Sequence, residues 1–238
     1  GGGNDTIRAD FGDDSVSGGT GNDIIYGDST AAPVAGSSTI LSWANQGVAD
    51  EASITGGITG SSANEDVSVT MTVSQEVNFG TATMETNDPL FNYNSASDPS
   101  SLFISGGNIL DGSSNANDQN AAVVTFDFTS ETPGISDEVS NVTFGIFDID
   151  YLQGQFIDQV IVTAYDADGN SIPVTVTLGS TGTLTSTTNA NGSQTVTSIV
   201  NSGGGGEANS QTGYASFTVA GPVSYITVDY NNIDPAHG

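Results

Sequence analysis

Apolar residues recur along this chain at two different intervals. In residues 1–28 the interval is nine, with Ile7, Val16 and Ile25 each standing two positions after an aspartate at 5, 14 or 23. From residue 39 onward it shortens to two. Val67-Ser68-Val69-Thr70-Met71-Thr72-Val73 sets one apolar face against one hydroxyl face, the signature of a half-buried strand. Comparable segments at 39–43, 77–84, 121–129, 139–149, 158–166, 172–178, 194–200, 214–219 and 223–230 predict further strands, with a few weaker ones between them. Gly, Asn, Asp and Pro separate them, and Asp168-Gly169-Asn170 between two strands predicts a hairpin. Val142 to Phe147 is apolar on both faces and reads as a central strand, while Trp43 in the first segment reads as core. No segment carries a convincing helical period. The expected organisation is a repeat unit over 1–28, a short linker over 29–38, and a jelly-roll-like antiparallel β-sandwich over 39–238.

Composition agrees with an all-β chain. Gly 31, Ser 30, Thr 28 and Asn 20 dominate its 238 residues, and long helices favour other types. The charge is lopsided: 28 acids, 21 of them Asp, stand against one Arg and no Lys, for a net −27. A single basic residue cannot neutralise a row of phosphates, which excludes nucleic acid, and an anionic membrane surface would repel the chain. No apolar run of membrane-spanning length exists. With no Cys, disulfides and thiolate metal sites are out. Such a surplus of carboxylates invites cations, because self-repulsion opposes compaction until counterions offset it. The sequence starts without Met or a signal peptide, and is expected to be a piece of something longer.

The nine-residue interval is filled in a specific way. Gly3, Gly12 and Gly21 are each followed by Asn or Asp and then by Asp5, Asp14 and Asp23, with Gly18 among the glycines that precede. A fourth unit opens with Gly27-Asp28 and fails at Thr30. An acidic linker would have no reason to hold aliphatics nine apart. This is a G-G-x-G-x-D-x-U-x nonapeptide, and the segment resembles the RTX (haemolysin-type) repeats of large secreted bacterial proteins. The resemblance implies a short calcium β-roll and Ca²⁺ as cofactor, with Gly3, Asp5, Gly12, Asp14, Gly18, Gly21 and Asp23 as the metal-site residues. Glycine permits the tight turns, whose carbonyls supply hard oxygen ligands beside the Asp carboxylates. One turn cannot offer the six to eight oxygens Ca²⁺ takes, so neighbouring coils must share an ion. Two nonapeptides make one coil, which puts Asp5 and Asp23 on one edge and Asp14 on the other. A well-formed ion between Asp5 and Asp23 is expected, with at most a half-site at Asp14, helped by Asp13 or Asp28.

Later segments also look familiar. Ser140 to Asp150, Asp158 to Asn170, Ala220-Gly221-Pro222-Val223 and Ile226 to Tyr230 resemble an uncharacterised β-sandwich domain of very large exported RTX proteins from marine alphaproteobacteria. That resemblance covers about 39–234, implies no settled activity, and suggests truncation at Gly238.

Candidate chemistry outside the repeats is sparse. Asp148 and Asp150 at a strand end, two apart and so on one face, with Asp158 opening the next strand, could hold Ca²⁺ with oxygens from Gln153, Gln155 or the 151–157 backbone. Equally, each could cap a turn or carry a raised pKa. A glycosidase pair is disfavoured by the lack of basic or His neighbours. Asp166-Ala167-Asp168-Gly169-Asn170 reads as a hairpin turn before a calcium loop, and the Gly run 203–206 is no phosphate loop. His237 stands alone near the end, and turn geometry accounts for the Asp-Pro steps at 88, 98 and 234. Tyr151 and Phe156 beside this acid corner are candidate sugar-stacking residues or plugs for the sandwich end.

The expected function is a non-enzymatic, calcium-binding structural or adhesive module of a large secreted or cell-surface protein, adhesin-like or surface-layer-like. Its alternative is a calcium-dependent carbohydrate-binding module targeting a larger extracellular enzyme. Expected partners are calcium ions, with extracellular polysaccharide or further copies of a surface protein as candidates.

Overall fold

The computed structural model describes residues 2–4, 6–8, 17–22, 24–26, 41–54, 56–62, 67–75, 81–86, 101–105, 122–130, 137–201 and 211–234. The proposed linker 29–38, the Gly run 203–206 and His237 lie outside them.

In the repeats, β1 (Thr6–Arg8) and β2 (Ile24–Tyr26) pair in parallel, with Thr6 against Ile24, Ile7 against Ile25 and Arg8 against Tyr26. A parallel bridge between Gly2 and Thr20 keeps the same offset of 18 residues.

The rest of the described chain is antiparallel. Its strands are β3 (Ala52–Ser53), β4 (Ile58–Ser61), β5 (Val67–Gln75), β6 (Thr81–Glu85), β7 (Ser101–Ser105) and β8 (Ala122–Ser130). They continue with β9 (Val142–Ile146), β10 (Tyr151–Leu152), β11 (Phe156–Tyr165), β12 (Ser171–Ile172), β13 (Val174–Leu178), β14 (Leu184–Thr188), β15 (Gln194–Ser198), β16 (Ala215–Val219) and β17 (Tyr225–Asn232). A nine-stranded sheet runs β14-β15-β11-β17-β8-β5-β4, with β10 and β12 attached to β11; β13-β16-β9 and β3-β6-β7 form two smaller sheets.

The alternation read from sequence decides which face is buried. Val69, Met71 and Val73 of β5, Val124 of β8, Ile226 and Val228 of β17, and Val160, Val162 and Ala164 of β11 are all buried. All but Val69 share one core with Val174, Ala215, Phe217 and Val219 from one small sheet and Ala82 and Met84 from the other. Phe144 of β9 joins the layers, its ring centroid 5.6 Å from Phe217 and 6.3 Å from Phe126. The sandwich layers are therefore one large sheet and two small ones over its apolar face.

Three expectations are corrected. Trp43 is core, 8% exposed, but sits in a 3₁₀ turn over Trp43–Asn45 rather than in a strand at 39–43. Val142 to Phe147 is no central strand: β9 ends at Ile146 and lies at an edge of its small sheet, its exposure alternating residue by residue. Segment 172–178 divides at Pro173, β12 pairing with β11 and β13 with β16. Proline offers no N–H to a ladder, so the chain changes sheets there.

Candidate functional site

The repeats are built for close stacking. Gly3, Gly19 and Gly21 have φ of 132°, 89° and 145°, a region that disfavours side chains. A Cβ on Gly21 would stand 1.8 Å from the Gly3 carbonyl oxygen, so only glycine lets the turn of one coil lie on the turn 18 residues earlier. The Gly3 N–H donates to the Thr20 carbonyl at 2.7 Å, and the Asn22 N–H to Asn4 Oδ1 at 2.8 Å. Gly18 is buried. Stacked glycine turns of this kind fit the shared oxygen cage that Ca²⁺ requires. Asp5, Gly12, Asp14 and Asp23 lie outside the described residues.

The second candidate is the acid corner where β10 and β11 meet the end of β17. The chain leaves β9 after Ile146, and Asp148 takes a left-handed φ of 60°. The strand alternation that was to put Asp148 and Asp150 on one face therefore does not apply. Asp150 instead stands directly across from Asp158: the Asp158 N–H donates to the Asp150 carbonyl at 3.0 Å, and the Asp150 N–H to Asp158 Oδ2 at 3.1 Å. Both acids are buried, 8% and 5% exposed. The Tyr230 hydroxyl donates to Asp158 Oδ1 at 2.6 Å. Burial pushes the Asp158 carboxyl up to about 7; the bonds from Tyr230 and Asp150 oppose the rise, and the Asp150 charge adds to it. Tyr230 is itself pushed up, by burial first and then by Asp158, Asp150 and Asp148.

Below this pair the last strand fastens the hairpin. Asn232 Oδ1 accepts the N–H of Ile157 at 3.1 Å and of Asp234 at 3.0 Å, and its Nδ2 donates to the Gln155 carbonyl. Asp234 Oδ2 accepts the Gly154 N–H at 3.0 Å. Sequence reasoning missed Tyr230, Asn232 and Asp234. Their signal was phase, since positions 226, 228, 230 and 232 continue the inward-facing register of β17 into polar residues.

Among the described residues no three His, Asp or Glu side chains form a group able to hold a metal. The corner joins Asp150 to Asp158 around a hydrogen-bonded carboxyl, and a Ca²⁺ held by Asp148, Asp150 and Asp158 has no such group behind it. Tyr151 faces Ile157 and Leu152 faces Phe156 across the hairpin, so Tyr151 and Phe156 point to opposite sides and make no single stacking platform. Asp166 is a turn residue: its carboxylate accepts the N–H groups of Asp168 and Asn170 and the Asn170 side-chain amide. These bonds, Asn170's first, hold its carboxyl below the usual range.

Residues 1–30 match the family model described as RTX calcium-binding nonapeptide repeat (4 copies). Comparison with curated proteins and with solved structures finds no match for the chain. Residues 1–30 are thus RTX calcium-binding repeats, and the described residues beyond them form antiparallel sheets. The chain's cofactor is Ca²⁺, bound by those repeats.

Proposed function

We propose that this chain is a non-enzymatic, calcium-stabilised structural or adhesive module of a large secreted or cell-surface RTX protein. The observation that carries the reading is the 18-residue parallel register between β1 and β2, over a turn whose Gly21 nothing larger could replace. That register agrees with Asp5 and Asp23 sharing one edge of the roll and one ion, with Asp14 on the other edge. Gly12 belongs to the same repeat set. The net charge of −27 supports it too, because a single Arg cannot offset 28 carboxylates.

Thermal melts in millimolar Ca²⁺ against EGTA test the proposal. Calcium should raise the midpoint, and equal midpoints would overturn the calcium role. Selective glycan binding lost on Tyr151→Ala or Phe156→Ala would replace the structural reading with a carbohydrate-binding one.

A further inference from the structure

The two edges of the nine-stranded sheet are finished differently. At β4 the side chain of Gln46 acts as a substitute strand: its Nε2 donates to the Ser61 carbonyl at 2.9 Å and its Oε1 accepts the Ser61 N–H at 2.9 Å. Trp43 lies over the same strand, so close that a Cβ on Gly60 would come within 2.8 Å of its ring. Gln46 and Trp43 thus cover this edge at Gly60 and Ser61.

At the other end β14 pairs with β15 on one side and, among the described residues, with no strand on the other. The Ile199 N–H donates to the Thr183 carbonyl and the Asn189 N–H to the Ser193 carbonyl. In an antiparallel ladder the bonded positions alternate, so the N–H and C=O of Ser186 and Thr188 point outward. Thr185, Ser186, Thr187 and Thr188 are all exposed. Natural edges are usually blunted by charge or proline, and β14 has neither.

Charge makes the contrast sharper. Between Asp168 and Asp229 the only charged residue is Glu207, in a chain of net −27. That stretch supplies β12 to β16, and the wall formed by β14, β15 and the two residues after β15 carries no charged residue. Beside the start of β14 stand Ile199 and Val200, 51% and 42% exposed, the exposed large apolar residues of the described chain.

We propose that this uncharged wall binds a second copy of the same chain, β14 adding antiparallel to β14 so that one sheet runs through both. It is the surface on which two strongly acidic copies can approach with the least carboxylate repulsion. A Thr/Ser strand is self-complementary, because each hydroxyl both donates and accepts. With Gln46 capping Ser61 and Trp43 packed over Gly60, β4 offers no matching edge, so the pairing is isologous and stops at two copies instead of growing into a fibre. The inference stands independently of the calcium proposal.

Sedimentation velocity over a concentration series, in calcium buffer, tests it. A monomer–dimer equilibrium is expected, tightening as added NaCl screens the repulsion between copies. Ser186→Pro removes the outward N–H while leaving the bonded positions of β14 intact, and should weaken the dimer ~10-fold or more, since symmetry removes the bond twice. Ile199→Asp, which puts a charge on the wall without touching β14, should weaken it as well, with an unchanged thermal midpoint in dilute solution. A chain that stays monomeric throughout, that forms species larger than a dimer, or whose two variants both dimerise like the parent, overturns the proposal. So does a heterologous partner, pulled down by the parent, whose binding survives both variants.

Discussion

The repeat segment and the sandwich use the same residue, aspartate, for opposite ends. In the repeats the aspartates follow glycines at a nine-residue interval, and Ca²⁺ supplies the positive charge. In the sandwich, Asp150 and Asp158 are buried against each other, and no Lys exists anywhere in the chain to pair with them. The solution there is a proton and a phenol. Asp158 is pushed up to about 7, and the Tyr230 hydroxyl donates to it. A buried carboxyl with no counter-cation either neutralises or finds donors; the rise in the Asp158 pKa leads toward the first and the Tyr230 bond supplies the second. The lesson is that acid density alone does not mark a metal site: geometry around the acid decides between ion and proton.

The sharpest way to break this comparison is to remove calcium and see which region responds. A ligand binding only the folded form adds about 2.7 kcal/mol at a hundredfold excess over its Kd, and several bound ions would add more. Hydrogen exchange in EGTA should erase amide protection in residues 1–28 and leave β11 and β17 protected. Equal loss in both regions would erase the distinction. Asp23→Asn should reproduce most of the calcium-free behaviour and Asp14→Asn little of it, because only the former interrupts a complete 18-residue pair.

A titration probes the other side. The folded pKa of Asp158 lies above the ordinary carboxylate value, so between about pH 4 and 7 the folded state binds more protons than the unfolded one. Its contribution is fully present below the unfolded pKa and is lost as pH rises through about 7, by on the order of a few kcal/mol. Denaturant unfolding in EGTA should show stability declining across that window, and Asp158→Asn should flatten the decline. Calcium in the buffer should not change the slope if the corner holds a proton; abolition of the slope by calcium would show an ion there instead. The smallest effect is expected from Tyr230→Phe. It leaves Asp158 short of one buried donor, costing about 1–3 kcal/mol, and should move the midpoint of the pH profile upward.

The repeats and the strands were legible because each rests on a simple period. Nine-residue spacing predicted the 18-residue stack that β1 and β2 show, and two-residue alternation found β5, β8, β11, β15, β16 and β17. The acid corner was legible only in part. Asp150 and Asp158 meet as adjacency around a hairpin suggested, but Tyr230, Asn232 and Asp234 arrive from more than 70 residues away through sheet order, which no local pattern encodes. Asp148 was misjudged because alternation was carried past the end of β9 into a left-handed turn. β14 went unread because its run, Leu184-Thr185-Ser186-Thr187-Thr188, has a single apolar residue and hence no amphipathic contrast.

The 18-residue offset between β1 and β2 also fixes a length. Each coil advances the roll by one strand spacing, about 4.8 Å. The same 18 residues drawn out would span about 60 Å. A coil is thus a store of chain released in a single step, and whether it is stored or paid out depends on the ion that closes its turns. In calcium-rich surroundings such a segment is a short, stiff spacer; stripped of calcium it becomes a tether more than ten times longer per coil, so the surrounding calcium level sets how far apart its two ends can be pulled.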